Sequence, residues 1–135
     1  MASVNDLIRD FMSQGPYAVV GASSNRAKYG NKVLRAYQQQ GQEVYPINPR
    51  ADSIEGLKAY ASLGRVPVQV RGVSIITPPA ITERVVEEIA AAGGEFVWMQ
   101  PGAESPEAVR KAEALGLRVI ADGSCYLVLA HYHEA

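Results

Sequence analysis

The chain has 135 residues, with 13 Lys and Arg against 14 Asp and Glu and a formal net charge of −1; that length fits one domain, able to bury roughly two-thirds of its unfolded surface without disulfides or metals. Near-balanced charge, with no basic block interleaved with aromatics, excludes bulk attraction to nucleic acid or to an acidic membrane. The single Cys125 excludes an internal disulfide framework and, with only His131 and His133 near it, offers no zinc spacing, a usage that suits a reducing cytoplasm.

At the start of the chain nothing reads as a basic-then-apolar leader, and no run approaches the ~18 apolar residues of a membrane span, so a soluble intracellular protein is expected. Val4, Leu7, Ile8, Phe11 and Met12 recur at helical spacing and Gly15-Pro16 ends the pattern, which predicts an amphipathic helix over 3–13 that caps a sheet. Tyr17, Ala18, Val19 and Val20 form an unbroken apolar run, as a central parallel strand covered on both faces requires. After Gly21 a small-residue loop leads into a helical pattern over 29–40, with Val33, Leu34 and Tyr37 on one face and Gly41 as its stop. Residues 43–48 read as a second strand whose Pro46 suits an end or an edge. Ile54-Glu55-Gly56-Leu57 then reads as a turn and 59–63 as a short helical piece.

Residues 73–77 form a β-branched strand halted by Pro78-Pro79, and 81–92 repeat apolar residues at Val85, Val86, Ile89 and Ala90. A further strand is expected at 95–99. Ser105 as N-cap and Pro106 at the first helical position open the next helix, which Gly116 ends. Residues 117–121 give a last strand, 122–124 a turn, and 126–130 an apolar tail that fits either type. About five strands alternating with helices predict an α/β fold, a parallel sheet with helices on both faces. In such sheets ligands bind at the carboxyl ends of the strands, where strand order reverses.

Those ends carry the chemistry. Gly21, Ala22, Ser23 and Ser24 have little or no side chain, so a ligand's phosphates could approach the backbone N–H groups, and Lys28, Tyr29 and Gly30 sit where the helix opens with its partial positive charge. The loop lacks a full G-x-G-x-x-G and the ending of a P-loop, which leaves a plain strand-to-helix turn as the alternative. Asn48-Pro49-Arg50 stands where an NAD site would place an acidic residue. Arg50 there favours a ligand with phosphate on its ribose, NADP or coenzyme A, against a merely solvated arginine. Thr77, Pro78 and Pro79 form either a cleft wall or a structural turn. In WMQPG, Trp98 reads as core, with Gln100 and Gly102 turned to a ligand. No base, nucleophile or metal set emerges: Cys125 reads as a small buried hydrophobe, and one Cys near two His in sequence is not a dyad.

With VVGASSNRAKYGNKV, VYPINP, ITPP and VWMQPGA in one order, residues 17–121 resemble the small stand-alone CoA-binding proteins of the succinyl-CoA ligase superfamily. The resemblance implies a Rossmann-like three-layer α/β/α domain, similar to the N-terminal domain of the ligase alpha subunit, that binds coenzyme A or an acyl-CoA without catalysis. It implies phosphate contacts at Gly21, Ala22, Ser23 and Ser24, nucleotide contacts at Asn48, Pro49 and Arg50, and a cleft completed by Thr77, Pro78 and Pro79 and by Trp98, Met99 and Gln100. The chain has no room for the ligase's further domains, so no ligase activity in isolation is expected. Where the stand-alone family has Asp-Arg-Cys and then Glu-His, this sequence has Asp122-Gly123-Ser124-Cys125 and Leu129-Ala130-His131. An NADP-binding oxidoreductase-like domain, and an interaction module or detached ligase subunit with a protein partner or a second copy, are the alternatives.

Overall fold

The Ser3 hydroxyl accepts the Asp6 N–H and the Asp6 carboxylate accepts the Ser3 N–H, a capping box that satisfies two orphan donors and opens helix α1 at Val4–Ser13. In the computed structural model, which describes residues 3–134, the elements after it are β1 (Tyr17–Val20), α2 (Tyr29–Gln39), β2 (Val44–Ile47), β3 (Ser53–Ile54), β4 (Leu57–Lys58), β5 (Gly72–Ile75), α3 (Pro79–Ala91), β6 (Phe96–Met99), α4 (Pro106–Ala114), β7 (Arg118–Ile120) and α5 (Tyr126–Leu129). Five strands form one sheet in the order β2-β1-β5-β6-β7, every neighbour parallel. This is the expected α/β architecture of Rossmann type. No helix among the described residues is long and apolar enough to cross a membrane.

Side chains alternate across a strand, and the alternation divides the core in two. Tyr17 and Val19 of β1 and Phe96 and Trp98 of β6 point to the side covered by α1, α2 and α5, with Phe11, Leu34, Tyr37 and Tyr126. Ala18, Val20, Val73, Ile75, Val97 and Met99 point to the side covered by α3 and α4, with Val86, Ile89, Ala108 and Ala112. The first face is aromatic: the Phe11 ring meets Trp98 edge-on at 5.2 Å, and Tyr37 stacks on Tyr126 at 4.0 Å. Such pairs contribute about 0.5–1.5 kcal/mol each beyond the area they bury. Helix α1 therefore lies over the aromatic face of the sheet and against β7, fixed at its end by the Tyr17 hydroxyl on the Phe11 carbonyl at 2.6 Å.

The stretch between β2 and β5 departs most from expectation. Glu55 and Gly56 both have positive φ, 50° and 79°, and join β3 and β4 as a tight hairpin. Tyr60 does not belong to a helix. It donates its N–H to the Pro46 carbonyl at 3.0 Å and accepts the Asn48 N–H at 2.9 Å, closing the outer side of edge strand β2, where a proline is tolerated. The helical turn comes later, a 3₁₀ turn at Leu63–Arg65. Helix α3 opens two residues before expectation because Pro79 occupies its first position, where a missing N–H removes no bond. The tail of undecided type is α5.

Candidate functional site

β1 lies between β2 and β5, so the chain leaves β1 to one side and returns to its other side. That reversal opens a crevice at the carboxyl ends of the strands. A cleft of about 710 Å³ occupies it, within the range of small-molecule sites. The loop after β1 contributes Gly21, Ala22 and Ser23; the head of α2 contributes Lys28, Tyr29 and Gly30; the segment after β2 contributes Asn48, Pro49 and Arg50; and the segment after β5 contributes Ile76 and Pro78.

Two glycines allow the strand and helix to meet there. Gly21 has φ +94°, and a Cβ on it would lie 2.6 Å from the Ile76 carbonyl oxygen. A Cβ on Gly30 would lie 2.1 Å from the Gly21 carbonyl oxygen. Side chains then fix the loop from behind. Asn48 donates Nδ2 to the Ala22 carbonyl at 2.8 Å, and its Oδ1 accepts the Arg50 N–H at 2.8 Å. Asn31, fully buried, donates Nδ2 to the Ser23 carbonyl at 2.9 Å.

In a planar trans peptide the carbonyl and the following N–H point in opposite directions. Holding the Ala22 and Ser23 carbonyls on protein donors therefore turns the N–H groups of Ser23 and Ser24 away from those donors. Neither N–H has a protein acceptor among the described residues. Helix α2 has no side-chain cap at Lys28, so its first N–H groups are also available. The Lys28 ammonium and the Arg50 guanidinium line the cleft without an ion-pair partner among the described residues. Free donors, a helix N-terminus and two unpaired cations suit a polyanion.

The strand-end residues of β6 sit elsewhere. Trp98, Met99 and Gln100 have no exposed surface and do not line this cleft. Trp98 donates its indole N–H to the Ser124 carbonyl at 3.0 Å. Gln100, expected to face a ligand, instead accepts both the Tyr126 N–H at 2.8 Å and the Tyr29 hydroxyl at 3.0 Å on Oε1. The reason is α5, which covers that strand end. Because the one Tyr29 proton goes to Gln100, the Cys125 thiol donates to the Tyr29 oxygen, 2.7 Å away. Burial pushes the Tyr29 hydroxyl far above its ordinary pKa, so it stays protonated. Tyr29 thus presents its ring to the cleft from an anchored hydroxyl.

Ser24 is exposed on the loop and Pro79 belongs to α3, and neither lines the cleft. Gly102 and Thr77 line an adjoining pocket of about 300 Å³ with Pro101 and Ala103. A second adjoining pocket, about 290 Å³, is apolar on most sides, with Val20, Ile47, Ala61, Ile81 and Val85. Asn31 and Arg35 were not candidates in the sequence. Their signal was the spacing of four on a helix face next to Val33, Leu34 and Tyr37, where polar pairs can bond to each other. No cluster of three His, Cys, Asp or Glu side chains among the described residues could hold a metal.

Residues 16–130 match the family model described as a CoA binding domain. The alpha subunit of an ADP-forming acetate–CoA ligase II from Pyrococcus furiosus is 28% identical over 132 residues, covering 90% of this chain and 29% of that subunit. A conserved hypothetical protein from Pyrococcus furiosus, a solved structure, is 42% identical with a TM-score of 0.79, covering 84% of this chain and 97% of its own. A hypothetical protein from Pyrococcus horikoshii OT3 superposes with a TM-score of 0.87 at 28% identity, covering 96% and 90% of the two chains. The chain spans less than a third of the ligase subunit it matches.

Proposed function

This chain belongs to the CoA-binding domain family, and from that premise we propose that it binds coenzyme A or an acyl-CoA as a single domain, without catalysing a reaction of its own, in the cleft at the strand ends. The observation that carries this reading is the set of unpaired donors and cations around one cleft: the Ser23 N–H group, the uncapped head of α2, Lys28 and Arg50. CoA is a polyanion with a diphosphate and a phosphate on its ribose. The diphosphate would lie against the loop and helix head, and the ribose phosphate against Arg50. The purine, a flat aromatic ring with a polar edge, suits the pocket lined by Ile47 and Val85 together with Asn48, Thr77 and Glu88.

Arg50→Ala is expected to weaken CoA by roughly 1–3 kcal/mol, the contribution of a charged hydrogen bond, and to leave dephospho-CoA nearly unaffected. Calorimetric titration of both ligands reads the difference. Equal losses for the two would remove Arg50 from the ribose-phosphate role. The match to 29% of a ligase subunit supports a second reading, in which the chain serves as a detached component of a ligase-type complex; co-purification with a larger ligase-like protein would favour it.

A further inference from the structure

A polar chain runs from the segment after α5, through the buried side of α2, to the loop after β1. Glu134 Oε2 accepts a bond from Arg35 Nη1 at 3.1 Å, and its other oxygen lies 3.4 Å from Lys32 Nζ. The Arg35 side chain is only 8% exposed. It donates Nε to Asn31 Oδ1 at 2.7 Å and Nη2 to the Arg26 carbonyl at 3.1 Å. Asn31 passes the chain on to the Ser23 carbonyl at 2.9 Å. Residues 130–134 are themselves laid along α2: Gln39 exchanges bonds of 2.7 and 3.2 Å with the His133 backbone, and Gln40 Nε2 donates to the Ala130 carbonyl at 2.6 Å. The Tyr132 ring faces the Arg35 guanidinium at 5.5 Å.

We infer that Arg35 and Glu134 are positioning residues for this site, holding the loop over 22–28 in the form that turns its N–H groups to the cleft. A buried guanidinium is tolerated when paired and fully bonded, and losing its partner leaves an uncompensated charge. Glu134 is its only carboxylate partner among the described residues. Without it, Arg35 gains by swinging toward water, and the bonds to Asn31 and the Arg26 carbonyl go with it. The loop then loses its bond at the Arg26 carbonyl, and Asn31, whose Nδ2 donates to the Ser23 carbonyl and, at 3.0 Å, to Glu55 Oε2, loses the donor that orients its Oδ1, so the order of the site depends on whether residues 130–134 stay docked on α2. The link to ligand affinity rests on the CoA reading; the link to loop order does not.

The test is Glu134→Ala in the full chain, a substitution at a side chain 59% exposed that should leave the core intact. Amide hydrogen exchange without ligand is expected to rise roughly tenfold, the scale of one lost charged hydrogen bond, at Asn25, Ala27 and Lys28, the loop amides that hold hydrogen bonds, with β1 and β6 amides unchanged. Arg35→Lys, which keeps the charge but loses the fork that spans three partners, is expected to show the same local loosening. CoA affinity should fall in both. Unchanged exchange at Asn25, Ala27 and Lys28, or an increase spread evenly over the sheet with a lower Tm, would overturn the positioning role. Loop loosening in a protein whose wild type does not bind CoA would leave the positioning role standing and remove the ligand reading.

Discussion

Gly30→Ala is expected to lower the unfolding free energy by about 3 kcal/mol, at the upper end of what overpacking brings. The new methyl would lie 2.1 Å from the Gly21 carbonyl oxygen and 3.0 Å from its carbon. Both are backbone atoms that cannot rotate away, so β1 and α2 must separate. Alanine's higher helix propensity returns about 1 kcal/mol at most and does not offset the clash. Gly64→Ala is the control: nothing lies within 4 Å of its Cβ position, and a change within about 0.5 kcal/mol is expected. Chemical denaturation of both variants decides the matter. A Gly30→Ala protein as stable as the wild type would mean that the strand-to-helix junction is looser than described.

Ser23→Trp is expected to abolish CoA binding while the protein still folds. Ser23 lines the cleft and is only partly buried, so an indole can project into the open space without entering the core. The volume it fills is the volume the phosphates need, and the loop admits them because its side chains are small. Far-UV circular dichroism and the Tm report the fold; titration reports the ligand. Unchanged affinity in a folded variant would place the ligand elsewhere.

The βα units were legible where their signals are local. An apolar run of four residues is a buried strand, Gly41 with φ +69° is the helix stop, and Ser105 accepts the Ala108 N–H at 3.0 Å as its N-cap position predicts. Strand order was not legible, because which neighbour a parallel strand chooses depends on packing across the whole sheet. The β3–β4 hairpin was seen only as a turn, since its strands are two residues long and Ile54 is the one buried residue among them. Gln100 illustrates the harder error. A polar residue at a strand end reads as facing a ligand, yet here α5 folds over it and supplies the Tyr126 N–H at 2.8 Å, a long-range contact that no local pattern announces. Asn31 and Arg35 were missed for the same reason in reverse, as polar residues on a helix face are usually solvated, whereas these two are buried and bonded to loop carbonyls.

Of the residues that the sequence placed around the ligand, the structure brings Gly21, Ala22, Ser23, Lys28, Tyr29, Gly30, Asn48, Pro49, Arg50 and Pro78 to one cleft. Their roles divide. The glycines permit the close approach of β1 and α2, Asn48 joins the two loops, Tyr29 is anchored beneath, and Lys28 and Arg50 have no ion-pair partner among the described residues.

The central claim, that this cleft receives CoA, is tested most directly by calorimetric titration of the purified protein with CoA, with dephospho-CoA, NADP and NAD as comparisons. Saturable binding of CoA, weaker for dephospho-CoA and weaker still or absent for NADP and NAD, is the predicted result. No heat of binding with CoA at millimolar concentration, or a preference for NADP, would contradict it.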